Sequence, residues 1–266
     1  MKLLCPICGE ILDRIEKQYR CGNGHSFDLA RQGYVNLLPV QQKRSLNPGD
    51  TREQVLGRRA FLETGCYEPI SNTLNETAKE LGATGPILDV GCGEGYYSAR
   101  LAEALGAELT GLDISKEAVR CAAAKYKGPQ WLCGTAAHLP VENHSAGVVT
   151  SLFALTMAEE FKRVLRPDGY FFQVLAAEDH LLGLKSIIYP ELKFKEKNTV
   201  PEVPGFELVK SVPIRFTFTV EGEQVRNLLG MTPHVFRITK EGAARLAATE
   251  KLTDTASAVL NVYKPI

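Results

Sequence analysis

The placement of cysteine constrains this chain more than any other feature. Cys5-Pro6-Ile7-Cys8 is followed after twelve residues by Cys21 and after three more by His25. A C-x2-C-x12-C-x3-H pattern lets two short turns deliver two ligands each, which suits tetrahedral zinc held by thiolates and imidazole. Gly9 and Gly22 follow ligands, where a tight knuckle often needs positive φ, and Gly24 directly precedes the histidine. The main apolar groups of the segment are Leu3, Ile7, Leu12, Tyr19 and Phe27. They bury too little area to fold alone, so a metal supplies the missing stability. Four protein ligands close the coordination sphere, which predicts a structural and not a catalytic ion. The ligand order differs from the C-C-H-H of a DNA-reading finger, and no recognition helix fits between Cys21 and His25. Residues 1–36 are assigned to this module.

The other four cysteines, Cys66, Cys92, Cys121 and Cys133, stand singly. With no export signal in Met1-Lys2-Leu3-Leu4-Cys5, they read as reduced thiols or small core residues, and a cytoplasmic location is expected. No run approaches the ~18 apolar residues of a membrane span, so no membrane partner is expected. The net charge is zero, yet residues 1–60 carry ten Lys/Arg against six Asp/Glu. That excess suits RNA contact and an ordinary solvated surface equally.

Residues 37–84 read as a linker and helical connector. The polar stretch from Gln41 to Asp50 predicts a mobile surface loop. A helix follows through Leu62, with Asp50 or Thr51 as N-cap and Gly65 as the C′ residue. Arg52, Arg58 and Arg59 on it are open to phosphate contacts or to a solvated face.

Residues 85–266 alternate apolar strands with amphipathic helices. Strands are predicted at Ile87–Val90, Glu108–Leu112, Gln130–Cys133, Gly147–Phe153 and Tyr170–Ala176. Helices are predicted at Tyr96–Leu105 and Lys116–Lys125, another around Phe161–Leu165, and a turn at Arg166-Pro167-Asp168-Gly169. Right-handed crossovers between such strands give an α/β fold with a doubly wound, Rossmann-like parallel sheet. Further on, two strands broken around Pro213 are predicted over Phe206–Val220, with a short helix at Glu223–Leu229 and a last strand at Val259–Tyr263.

The glycine loop discriminates between cofactors. A dinucleotide fingerprint needs a small residue at position 96, where Tyr96 stands. Leu88-Asp89-Val90-Gly91-Cys92-Gly93-Glu94-Gly95 instead resembles the first motif of class I S-adenosylmethionine-dependent methyltransferases. Gly91, Gly93 and Gly95 let the backbone approach the donor's amino-acid end, on which Asp89 acts directly or through water. Asp113, ending the second strand, is placed to accept both ribose hydroxyls. Thr135 and Ala136, in the Gly134–Pro140 segment after strand three, occupy the adenine-edge position. The donor carries its own leaving group, so no nucleophilic triad is required, and none is found.

Together with the four zinc ligands, Gln32–Leu38, Arg59–Leu62, Gly65-Cys66-Tyr67, Leu88–Tyr97, Leu112–Lys116 and Arg166–Gly169 resemble one family, the bacterial large-subunit rRNA guanine-N1 methyltransferases of RlmA type. The resemblance covers nearly the whole chain. It implies 1-methylguanine in a 23S rRNA hairpin near the peptide exit tunnel, an RNA cleft between zinc and catalytic domains, and a homodimer. It also implies donor contacts at Tyr67, Gly93, Glu94, Asp113 and His180. Guanine N1 lies on the Watson–Crick edge, so the base must be looped out and its N1 proton removed by a carboxylate, a histidine or a backbone carbonyl. After strand four the family shows aromatic-Ala-Pro, whereas this chain has Phe153-Ala154-Leu155. Phe153 is the candidate for stacking on the base, with a core role as its alternative. Met231-Thr232-Pro233 resembles a late family motif bordering the substrate cleft or serves as a packing turn. The competing readings are a small-molecule methyltransferase with a structural zinc ribbon and a non-catalytic RNA-binding protein.

Overall fold

The computed structural model describes residues 1–39, 48–192 and 196–266. Most of the loop expected at Gln41–Asp50 therefore lies outside the described residues. Four short strands come first: β1 (Leu3–Leu4), β2 (Ile11–Ile15), β3 (Gln18–Arg20) and β4 (Ser26–Asp28). They pair antiparallel in chain order as a small sheet of their own.

The second sheet has eight strands. It is built from β5 (Tyr34–Asn36), β6 (Ile87–Val90), β7 (Leu109–Asp113), β8 (Gln130–Cys133), β9 (Ala146–Leu152), β10 (Leu165–Ala176), β11 (Phe206–Glu221) and β12 (Lys251–Pro265). Their order is β11-β12-β10-β9-β6-β7-β8-β5. The six strands from β5 to β10 are parallel, and β12 runs antiparallel between β10 and β11. Every residue of β6 and β9 is buried, as expected of central parallel strands covered on both faces. The covering helices include α1 (Arg52–Leu62), α2 (Glu68–Glu80), α3 (Tyr96–Leu105), α4 (Lys116–Lys125) and α5 (Ala158–Val164). After β10 come α6 (Leu182–Ile188), α7 (Glu223–Gly230) and α8 (Lys240–Ala247).

Several expectations are corrected by this topology. Tyr34–Asn36, reckoned with the zinc module, pairs with Trp131–Cys133 as the edge strand of the large sheet. Arg166–Gly169 is not a free turn but a register break inside β10, between Leu165 and Tyr170. Leu165 already belongs to that strand. β11 runs unbroken through Pro213, which pairs with Val259, and its register shift falls at Val209 instead. Proline is tolerated there because β11 is an edge strand with one side free of ladder bonds. The last strand is 15 residues long, far beyond Val259–Tyr263.

Helix α1 begins on Thr51, whose hydroxyl accepts the Gln54 N–H while the Gln54 side chain accepts the Thr51 N–H. This reciprocal cap decides between the two N-cap candidates. At its other end Glu63 caps the helix, so Gly65, at φ +80°, lies one residue beyond the expected C′ position.

The small sheet has no core of its own. Leu3, Leu12 and Tyr19 pack into one cluster with Val35, Val141 and Val149 of the large domain. A Leu3–Val141 bridge and a Leu4 N–H bond to the Pro140 carbonyl fasten the two sheets together.

Candidate donor site and metal centre

At the metal centre the ligand atoms of Cys5, Cys8, Cys21 and His25 all lie within 4.8 Å of one another. Cys8 and Cys21 sulfurs are 3.7 Å apart, and His25 Nδ1 stands 3.6 Å from Cys5 Sγ and 3.4 Å from Cys21 Sγ. A tetrahedral zinc with ordinary bond lengths needs edges of about 3.8 Å between sulfurs and about 3.5 Å from sulfur to nitrogen. The donor set fits the ion. Two matched turns build it: the Gly9 N–H bonds the Cys5 carbonyl and the Gly24 N–H bonds the Cys21 carbonyl. Gly9 and Gly24 take positive φ at these turns, whereas Gly22 does not. A hydrogen bond from Asn23 leads the effects that draw the Cys8 thiol down to about 6, towards the thiolate that a metal binds.

The second site lies at the carboxyl ends of the parallel strands, where β6 is flanked by β7 on one side and β9 on the other. Open α/β sheets bind ligands at such a switch point. The loop after β6 has Gly91 at φ +85°, Gly93 at +56° and Gly95 at +85°. Two of these are also required by space. A Cβ on Gly91 would stand 2.6 Å from the Ala154 methyl, and one on Gly95 would stand 2.6 Å from the Trp131 ring.

Asp89 is fully buried and accepts hydrogen bonds from the Ser98 and Thr150 hydroxyls. Burial holds its carboxyl up at about 6. Asp113 accepts the Gly93 N–H on one oxygen (2.9 Å) and the Ser115 N–H on the other (2.8 Å). Burial raises its pKa, opposed by those two hydrogen bonds and by Arg58. Each oxygen keeps a lone pair, enough for two vicinal hydroxyls. Glu94 is buried as well, with its pKa raised by desolvation. Beyond β8, the Gly134 N–H bonds the Asp113 carbonyl, which draws the half-buried Thr135 and Ala136 to the same edge.

Tyr67 and His180, 113 residues apart, meet at 3.5 Å between Oη and Nε2. Tyr67 is buried among Phe61, Phe216 and Phe218, and that burial raises its pKa. The Ser257 N–H donates to His180 Nδ1, which leaves the proton of the neutral ring on Nε2. Burial drives the His180 pKa down to about 4. Phe153 lies 6.1 Å from the His180 ring, takes φ +55° and is 41% exposed. A bulky residue in that conformation and that exposed is not core packing, and such strain concentrates at functional sites. The strand-end loops thus gather Gly91 to Gly95, Asp113, Thr135 and Ala154, with Phe153 leading through His180 to Tyr67.

Two residues have roles here that the sequence did not assign them. Arg58 leaves its helix half-buried, ion-paired to Asp50 at 2.6 Å, and its charge acts on both Asp113 and Glu94. The Tyr97 hydroxyl is buried without a partner among the described residues, and Tyr67, Glu94 and Arg58 all act on it. An orphaned hydroxyl near the buried Glu94 carboxylate fits a polar ligand that completes the site. Its sequence signals were its position two residues after the glycine loop and its place at the end of the Leu88–Tyr97 resemblance.

This strand order, the three-glycine loop and the acid closing β7 define a class I S-adenosylmethionine-dependent methyltransferase, here joined to a zinc ribbon. Comparisons with known proteins agree. Residues 3–46 match the family described as RlmA, N-terminal, a zinc ribbon, and residues 88–173 match the methyltransferase domain. The 23S rRNA (guanine(748)-N(1))-methyltransferase of Streptomyces fradiae is 32% identical across 92% of this chain and 90% of its own length. A provisionally named 23S rRNA (guanine-N(1)-)-methyltransferase of Micromonospora griseorubida is 32% identical across 99% and 97%. A solved Anaeromyxobacter dehalogenans protein, provisionally named a type II methyltransferase, shares the fold at a TM-score of 0.50. It is 17% identical over 71% of this chain and 95% of its own. The chain belongs to the 23S rRNA guanine-N1 methyltransferase family that carries an RlmA-type zinc ribbon.

Proposed function

We propose that this protein transfers a methyl group from S-adenosylmethionine to N1 of a guanine in a 23S rRNA hairpin. The reading is carried by its near-full-length relationship to proteins named for that reaction, zinc ribbon included. In this reading Cys5, Cys8, Cys21 and His25 hold a structural zinc. Tyr67, Asp89, Gly91, Gly93, Glu94, Gly95, Asp113, Thr135, Ala136 and His180 form the donor pocket, and Phe153 stacks on the guanine.

S-Adenosylmethionine supplies a methyl already attached to a good leaving group, so the chain's task is alignment. The Asp89 carboxylate faces the ammonium end, and Asp113, fixed by two backbone amides, receives the ribose. Phe153, at the lip of the pocket, suits a base extruded from its stack. His180 is not the acceptor of the guanine N1 proton. Its Nδ1 is engaged by the Ser257 N–H and its Nε2 already bears hydrogen, so it donates towards Tyr67. The zinc ribbon and the methyltransferase domain together flank the RNA, in a homodimer working in the cytoplasm.

Incubation with labelled donor and 23S rRNA lacking this modification tests the proposal. Label recovered as 1-methylguanine after nuclease digestion is the expected result. Label found only in small metabolites, or donor binding without turnover, overturns it.

A further inference from the structure

Several arginines are held by a carboxylate within the fold, as Arg58 is by Asp50, Arg100 by Glu68 and Arg163 by Glu160. Lys185, Lys197 and Arg237 make no ion pair among the described residues. All three act on His234 although they come from separate segments. The ammonium of Lys197 reaches the carbonyl of Ala177, the residue that directly follows β10, at 3.3 Å. Lys185 lies on α6, which starts two residues after His180. Arg237 caps the short 3-10 helix Pro233–Phe236. That turn is tied to the end of α6, because the Tyr189 hydroxyl bonds His234 Nδ1 at 2.8 Å.

Asp254 and Asp179 act on Lys185 from nearby, but neither forms an ion pair with it. Asp179 is engaged by Arg215, and Asp254 accepts the N–H groups of Gly183, Leu184 and Thr255. Desolvation followed by the charges of Lys185, Lys197 and Arg237 lowers the His234 pKa, and the two lysines also act on His180. Beside the cations Phe236 is 76% exposed, and across His180 lies the exposed ring of Phe153. Cations free of ion pairs, interleaved with exposed rings, are what a single-stranded nucleic acid recognises, through phosphates and stacked bases.

Resting on the rRNA reading above, we propose that Lys185, Lys197 and Arg237 grip the RNA backbone beside the target guanine while Phe236 stacks on a neighbouring base. This surface lies on the acceptor side of the pocket and is built by α6 and the 3-10 turn, not by the zinc ribbon. It gives a chain with zero net charge a local anionic-substrate site.

The test uses full-length protein and 23S rRNA in the methylation assay, read at several salt concentrations beside donor affinity. Wild-type activity decides the rRNA reading itself. The double reversal K197E/R237E is expected to raise the KM for RNA by roughly tenfold or more and to flatten the salt dependence by about one unit of slope per cation. F236A is expected to raise that KM by roughly tenfold without changing the slope. Donor affinity stays at the wild-type value throughout, and R237K recovers most of the loss. If K197E/R237E disturbs donor affinity, K197Q/R237Q is read by the same two measures. An active wild type whose charge variants keep its RNA KM and salt slope overturns the surface and leaves the rRNA reading intact.

Discussion

The zinc sheet and the central sheet are both β structure held by opposite means. The strands of the first are two, five, three and three residues long, and its buried side chains include two of its own zinc ligands, Cys5 and Cys21. The central sheet buries whole strands, and Phe171, Phe172, Val174 and Trp131 are almost entirely hidden. Where a segment lacks apolar area, four ligand atoms define its shape. Where area is plentiful, continuous burial and close packing do. The two meet along the cluster around Leu3, Leu12 and Tyr19.

The largest expected effect breaks one half and spares the other. C21S removes a ligand, and structural zinc contributes roughly 10 kcal/mol or more to small metal modules. Metal content measured on the purified variant should fall to near zero. rRNA methylation should fall by at least about 100-fold because the RNA-flanking module is misplaced. Donor affinity by calorimetry should stay within roughly threefold, since no donor residue lies in that sheet. A zinc-free variant with full methylation would show that the ribbon is dispensable, and joint loss of donor affinity would show that the two sheets fold as one.

The same contrast explains what was legible in the sequence. The zinc ligands could be read because coordination fixes both residue type and spacing. The glycine loop could be read because Gly91 and Gly95 meet space and φ requirements that no other residue meets well. The strand boundaries around Pro213 were misjudged because edge position, which excuses the proline, is a tertiary property. Tyr34–Asn36 looked like part of the ribbon because nothing local reveals pairing with residues almost a hundred positions away. The place of Arg58 beside Asp113 and Glu94, and the orphaned Tyr97 hydroxyl, were not legible for a related reason. A half-buried arginine and an orphaned hydroxyl exist only once α1 and α3 are placed over the loop.

A middle-sized effect concerns the donor site alone. The Asp89 carboxyl is held at about 6 by burial, against 3.8 for a free carboxyl. Its folded pKa is raised, so the native state binds more protons than the unfolded chain between those values, and ionising it costs the apo fold about 3 kcal/mol above pH 6. That contribution to apo stability is therefore present at low pH and lost as pH rises through about 6. Donor binding has the opposite sign, because the charged carboxylate is the form that meets the donor's ammonium. Affinity should weaken as pH falls below about 6, and D89N should bind donor about 10- to 100-fold more weakly with that pH dependence removed. In the same variant the apo fold above pH 6 should be no less stable by thermal melting. Unchanged donor affinity in D89N would remove Asp89 from the site.

The smallest effect sharpens the acceptor side, where Leu155 stands in place of the proline that the resemblance implies. Leu155 is 79% exposed, and its carbonyl accepts the Ser151 hydroxyl, a bond that proline can still make. Its N–H has no backbone partner among the described residues, so a proline ring forfeits no bond there. The residue before a proline is pushed towards extended backbone, and Ala154 is that residue, packed within 2.6 Å of where a Gly91 Cβ would be. L155P should therefore change stability by less than about 1 kcal/mol, read as a small shift in melting temperature. Any functional consequence should fall on the acceptor, through Phe153 two residues earlier, and be read as a change in RNA KM at constant donor affinity. A loss of donor affinity instead would mean that Ala154 sets the glycine loop, and that donor and acceptor sides are coupled through a single methyl contact.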